Sequence, residues 1–160
     1  MKSFECPEIY NGKGKSLFLA GGISNCPNWQ SELVKLIEGT DLVIFNPRRK
    51  DFTIDNPKIE EEQIFWEYNY LKKASVVSFW FPKETVCPIT LYELGKQSAL
   101  GKSLFIGIHP EYSRRRDMEI QMKLARPEIK IVYSLEELAM QIKEWKSQVL
   151  NNKKGGKEYE

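Results

Sequence analysis

The sequence predicts an α/β protein: a doubly wound parallel sheet in a single domain. Three observations predict it. The chain has 160 residues, within the ~100–200 residues of one domain and long enough to bury a core without a metal or disulfide. Its apolar runs are short and bare of charge, so the strands they form are covered on both faces. Those runs alternate with stretches of helical period, and strand-helix alternation with right-handed crossovers gives a doubly wound sheet.

The elements follow in order. Residues 1–15, which carry Asn11-Gly12-Lys13-Gly14-Lys15, read as a flexible N-terminal segment. Ser16–Ala20 is a short buried strand, followed by a Gly21-Gly22 turn and a helix around Trp29–Glu38 with Trp29, Leu33, Leu36 and Ile37 inward. Leu42–Phe45 is a second buried strand that Asn46-Pro47 ends. A charged, proline-bearing stretch leads to a helix from about Ile59 to Lys73, with Ile64, Tyr68 and Leu71 on its inward stripe. Strand Val76–Phe81, loop Pro82–Pro88, helix Thr90–Leu100 and strand Ser103–Gly107 come next. An arginine-rich loop, a short strand Ile129–Tyr133 and a helix from Leu135 to about Val149 complete a domain over residues 16–149. Residues 150–160 read as a flexible polar tail.

Composition excludes several functions. There are 24 Lys+Arg against 22 Asp+Glu, a net charge of +2, so no positive field collects a nucleic-acid polymer. The longest apolar run, Ser75–Phe81, is far short of the ~20 residues that span a bilayer, and the first residues lack the apolar core of a signal peptide. Cys6, Cys26 and Cys87 are an odd count without a CxxC pair, which points to neither a disulfide framework nor a zinc site. The expectation is a cytoplasmic protein with no metal and no organic cofactor.

In doubly wound sheets ligands bind beyond the carboxyl ends of the strands, which marks Ala20–Asn25, Asn46–Arg49, Pro82–Glu93 and His109–Asp117 as the places for chemistry. Gly12-Lys13-Gly14-Lys15-Ser16 has the ending of a phosphate-binding loop but precedes a strand instead of following one, which disfavours nucleoside triphosphates. Gly21 and Gly22 follow the first strand, where glycines let a sugar or phosphate approach the backbone; the plain alternative is a tight turn. Asn46, Arg48 and Arg49 lie at the end of the second strand, as a solvated loop or as the rim of a site. Gln63-x-x-Trp66-Glu67 puts a glutamate on the face of Leu71, where it is costly unless paired or useful. Glu93 falls in the first turn of the helix after the third strand, where backbone N–H groups would keep it ionised, as a nucleophile or merely as a stabilising acid. Tyr112-Ser113-Arg114-Arg115-Arg116-Asp117 forms the basic loop, a solvated surface or an anion or subunit contact. His109 has no ligating neighbour in sequence and reads as a loop residue.

Taken together, Leu17–Ile23, Asn46-Pro47-Arg48-Arg49, Gln63-x-x-Trp66-Glu67, Glu93-Leu94-Gly95 and Gly101-Lys102 resemble the nucleoside 2-deoxyribosyltransferase-like family over roughly residues 16 to 135. The resemblance implies a flavodoxin-like doubly wound sheet, a homo-oligomer of two or more subunits, and small-molecule partners: a nucleoside or nucleotide and a nucleobase. It implies transfer of a 2-deoxyribosyl group between bases through a covalent glycosyl-glutamate; relatives instead hydrolyse the N-glycosidic bond of nucleosides or their 5′-monophosphates, and a module that binds nucleotides without turnover is a further alternative. Glu93 matches the family's nucleophile. Glu67 stands where the family has the acid that contacts or protonates the base, a Glu in place of the more familiar Asp. Gly21, Gly22, Asn46, Arg48, Arg49, Trp66 and Asp117 are the expected substrate contacts. Three residues depart from the pattern: Phe18 where many members have a tyrosine, Cys87 near their loop aspartate, and Asp117 where an asparagine from a neighbouring subunit often enters the site.

Overall fold

The computed structural model describes residues 1–49 and 56–155. Six strands, β1 (Lys2–Glu5), β2 (Ser16–Gly21), β3 (Val43–Asn46), β4 (Val76–Phe81), β5 (Leu104–Ile108) and β6 (Ile131–Val132), form one sheet in the order β1-β3-β2-β4-β5-β6. Every neighbouring pair is parallel. Leaving β1 aside, the order is that of the flavodoxin-like fold, and the winding reverses between β2 and β4. Helices α1 (Trp29–Leu36), α2 (Pro57–Lys73), α3 (Pro88–Ala99), α4 (Arg115–Ala125) and α5 (Leu135–Gly155) connect and cover the strands.

Strand alternation splits the core in two. Phe18, Phe45, Phe79 and Phe81 pack with Trp66, Tyr70, Leu94 and Met118 under α2, α3 and α4. Leu17, Leu19, Ile44, Val76 and Trp80 pack with Leu33, Leu138 and Ile142 under α1 and α5. No helix among the described residues is long and apolar enough to cross a membrane.

Four features differ from the sequence expectation. The segment expected to be a flexible start contains β1, in register with β3 from Lys2↔Val43 to Glu5↔Asn46. Its alternation is too polar to read as a strand because it is an edge, paired on one side only. Helix α2 buries Gln63, Trp66, Tyr70 and Leu71, whereas Ile64 and Tyr68 are exposed, since the aromatic side chains and not the isoleucine fill the space over β2 and β3. The arginine-rich loop is largely helix: α4 begins at Arg115, with no side-chain cap to announce it. Helix α5 runs on to Gly155, into the segment expected to be a tail, and residues 156–160 lie outside the described residues.

Candidate active site

A cleft of about 640 Å³ opens where β2 and β4 end, at the reversal of the winding. Its volume suits a ligand of nucleoside size. Phe18 and Ala20 form its floor; Gly21–Ser24, Pro47 and Arg49 form one wall; Gln63, Ile64 and Glu67 from α2 and Cys87, Thr90, Tyr92 and Glu93 from the start of α3 form the others.

The glycine turn is dictated by close approach. A Cβ on Gly21 would stand 2.4 Å from the Trp80 carbonyl oxygen, and one on Gly22 would stand 2.8 Å from Cys87 Sγ. The Gly22 carbonyl accepts from Trp29 Nε1 at 2.8 Å and Gln30 Nε2 at 3.3 Å, which fixes the turn against α1. Cys87 itself precedes α3 in the left-handed region, φ 52° and ψ 58°. Its thiol is buried, and that burial pushes it up to about 11, so it stays protonated and inert at neutral pH.

Glu67 and Glu93 reach the cleft from different helices. Burial pushes the Glu67 carboxyl above the ordinary carboxylate range, and the hydrogen bond from Gln63 Nε2, 2.7 Å from Oε1, draws it partly back. Glu93 goes further, to about 8: burial raises it first, the Glu67 charge raises it again, and Lys96 lowers it. The expectation that helix N–H groups keep Glu93 ionised is therefore corrected. Helix α3 begins at Pro88, which leaves Glu93 beyond the first turn, where no free N–H points at it. The Glu67 charge couples the two carboxyls, and the shifts leave a proton on Glu93 while Glu67 is ionised.

The other expected contacts separate. Gly21, Gly22 and Arg49 line the cleft with the two glutamates; Asn46, Arg48, Trp66 and Asp117 do not. Asn46 Oδ1 accepts from the Arg48 backbone N–H at 3.1 Å, closing a local turn, and its Nδ2 donates to Glu5. The Arg48 guanidinium points away from the cleft, donating to Gln30 Oε1 at 2.9 Å, to the Ile23 carbonyl at 2.8 Å and to the Pro27 carbonyl at 3.1 Å. Arg49, its neighbour, turns the opposite way; it is 6% exposed and pairs with Glu62 at 2.9 Å. Trp66 lies beneath the site, its ring 6.2 Å from Phe18 and its Nε1 donating to the Glu8 carbonyl. Asp117 sits on α4, paired with Arg114 at 2.7 Å, beside a separate shallow groove between α3 and α4. Gln63 also lines the cleft, a residue that the sequence marks only through its motif; its spacing of four from Glu67 on one helix is the signal that joins them. His109 Nδ1 accepts from the Glu111 backbone N–H, and no group of three His, Cys, Asp or Glu side chains among the described residues is placed to hold a metal.

Fold and cleft together define a doubly wound α/β protein whose switch-point site is built round a carboxyl pair. A family model described as nucleoside 2-deoxyribosyltransferase like matches residues 14–112, more than half of the chain, and the chain belongs to that family. A crystal structure of a conserved protein from Enterococcus faecalis V583 has a TM-score of 0.59 to this chain at 13% sequence identity, covering 82% of this chain and 99% of that one. At that identity the likeness concerns the fold alone. No curated protein matches the chain.

Proposed function

We propose that the protein is an N-glycosyltransferase that moves a 2-deoxyribosyl group from one nucleobase to another by a retaining, two-step route. The observation that carries this reading is the pair of cleft carboxyls, Glu67 and Glu93, both raised and coupled through the charge of Glu67. Glycoside cleavage needs one carboxylate beneath the anomeric carbon and an acid near the leaving group. A Glu93 carboxylate oxygen bonds to the anomeric carbon, the carbon–nitrogen bond breaks, and its electron pair leaves on the base. The proton held by Glu67 goes to a ring nitrogen of that base. In the second step a nitrogen of the incoming base attacks, the glutamyl ester bond breaks, and Glu67 recovers a proton. The reaction needs Glu93 ionised and Glu67 protonated, whereas Glu93 holds its proton up to about 8 beside a charged Glu67, so substrate binding must move a proton from Glu93 to Glu67 before the sugar bond forms.

Incubation with 2′-deoxynucleosides and a second free base tests the proposal. Exchanged nucleoside is expected. Free base and free sugar alone would make the protein a hydrolase. Binding without turnover would favour a nucleotide-binding module, the reading supported by Phe18, which brings no hydroxyl to the cleft floor, and by the inert thiol of Cys87.

We further propose a homo-oligomer. The cleft mouth is rimmed by exposed Ile64, Ile89 and Tyr92, and the groove that carries Asp117 and Arg114 is lined by Leu91, Leu94, Met118 and Met122. A second subunit on these apolar faces would exclude water from a glycosyl-enzyme that water otherwise destroys. Sedimentation at micromolar concentration is expected to give a dimer or larger; an active monomer would overturn this.

A further inference from the structure

Helix α2 buries Gln63, Trp66, Tyr70 and Leu71 against the sheet. At about 100° per residue, Glu61, Phe65, Tyr68 and Lys72 fall on the opposite side, as one stripe along the helix. All four are exposed, Phe65 by 58% and Tyr68 by 53%. Two large aromatic side chains on the outermost line of a helix mark an interaction surface. Their spacing, with the charged residues on either side, is that of the a and d positions of a coiled coil.

The order along the stripe is acid, aromatic, aromatic, base, and such a stripe is complementary to itself when reversed. A two-fold axis passing between Phe65 and Tyr68 lays a second α2 antiparallel on the first. Phe65 then meets Tyr68 of the partner subunit, Glu61 meets Lys72 of the partner subunit, and each contact is made twice. The exposed stripe of α4, Arg116, Ile120 and Lys123, lacks this property: the same operation sets base against base.

We propose that two copies of the chain associate through antiparallel α2 helices, with Phe65 packed on Tyr68 and Glu61 paired with Lys72 across the axis. This rests on the homo-oligomer reading above and names the surface that makes it. A single helix pair falls short of the roughly 800 Å² per partner of a stable interface. The adjoining helix α3, whose Lys96 Nζ stands 4.4 Å from the Tyr68 ring, extends the surface with exposed Ile89 and Tyr92. Ile64, beside Phe65 on the flank of the stripe, lines the cleft, so the partner's helix borders the cleft mouth.

Sedimentation from nanomolar to micromolar concentration, with thermal unfolding beside it, tests the proposal. The unaltered protein is expected to associate. Glu61→Lys and Lys72→Glu each bring like charges together twice, and each is expected to raise the dissociation constant about tenfold or more while the chain stays folded. Mixed in equal amounts, the two single variants are expected to recover association, because every pair across the axis is again an acid with a base. The double exchange Glu61→Lys with Lys72→Glu is expected to recover it within one chain. A defect confined to either variant's own fold would not be mended by mixing. Association indifferent to both single substitutions overturns the proposal and keeps the homo-oligomer reading. Single variants that dissociate and do not recover on mixing overturn the antiparallel pairing. A protein monomeric over the whole range overturns both. Should a single variant fail to fold, Phe65→Ser decides: dissociation supports the proposal and unchanged association overturns it.

Discussion

Two polar regions lie within a few residues of each other at the carboxyl edge of this sheet, and they are finished differently. In the loop from Ile23 to Pro27, Arg48 meets carbonyls and an amide that it satisfies completely, and the result is a closed knot of chain. In the cleft beside it, burial and the Glu67 charge raise Glu93, and the buried Gln63 Oε1 has no hydrogen-bond partner among the described residues. Groups that answer one another hold the backbone. Groups left in conflict cost stability instead of adding to it.

Replacing Glu93 should sharpen this contrast most. Glu93→Gln is expected to lower turnover by about a thousandfold or more, because no bond to the sugar can form. The same variant should be more stable. Glu93 sits at about 8 in the folded chain against an ordinary value of 4.5, so the folded state resists losing a proton that the unfolded state gives up readily. Stability from this group is full below the ordinary value and is lost as pH rises toward about 8. The gain of Glu93→Gln over the natural chain is therefore absent at acid pH, grows through neutrality and is largest near pH 8. Thermal scans across pH check it; a Tm difference independent of pH would remove the conflict from the cleft.

The adjacent arginines test the other side of the comparison. Arg48→Ala should cost about 2–4 kcal/mol in urea unfolding, since it strands buried carbonyls and Gln30, and Arg48→Lys should not restore a fork that bonds several acceptors. Arg49→Ala has the smaller effect: a KM raised roughly tenfold with kcat little changed, as expected of a cation in the cleft wall. If the two variants exchanged these phenotypes, the division between holding and binding residues would be drawn in the wrong place.

The central strands were legible from sequence because parallel strands covered on both faces are uninterrupted apolar runs, as Leu17–Ala20 and Val76–Phe81 are. The cleft's position followed from the same runs: Gly21, Gly22 and Glu93 come after their carboxyl ends, and Glu67 was marked out by its place on the Leu71 face of α2. What escaped has physical reasons. Residues 48 and 49 are neighbours on a loop, and only tertiary contacts decide that one faces inward to the backbone and the other to the cleft. The apolar period suggests α3 from Thr90, whereas it starts at Pro88, a residue suited to the first position of a helix, and that offset changes the electrostatic surroundings expected for Glu93. Asn56 caps α2 through Lys58 and Ile59, with Pro57 following, a signal present in the sequence but outweighed by the charge of the stretch before it. The open valence of Gln63 could not be read at all, because it depends on where the Pro47 carbonyl points.

The first ten residues reach further into the site than their distance from it suggests. The Glu8 carbonyl receives both Trp66 Nε1 and the Tyr70 hydroxyl, the Tyr10 backbone N–H donates to that same hydroxyl, and Lys73 Nζ donates to the Tyr10 carbonyl. All three partners belong to the helix that carries Gln63 and Glu67, so the opening of the chain is a strap that sets that helix's height over the sheet. The strap lies outside residues 14–112, where the family pattern is matched. A protein begun at Ser16 would retain every side chain of the cleft, yet two aromatic donors on α2 would lose their acceptor, and Glu67 would no longer be held at a fixed distance from Glu93.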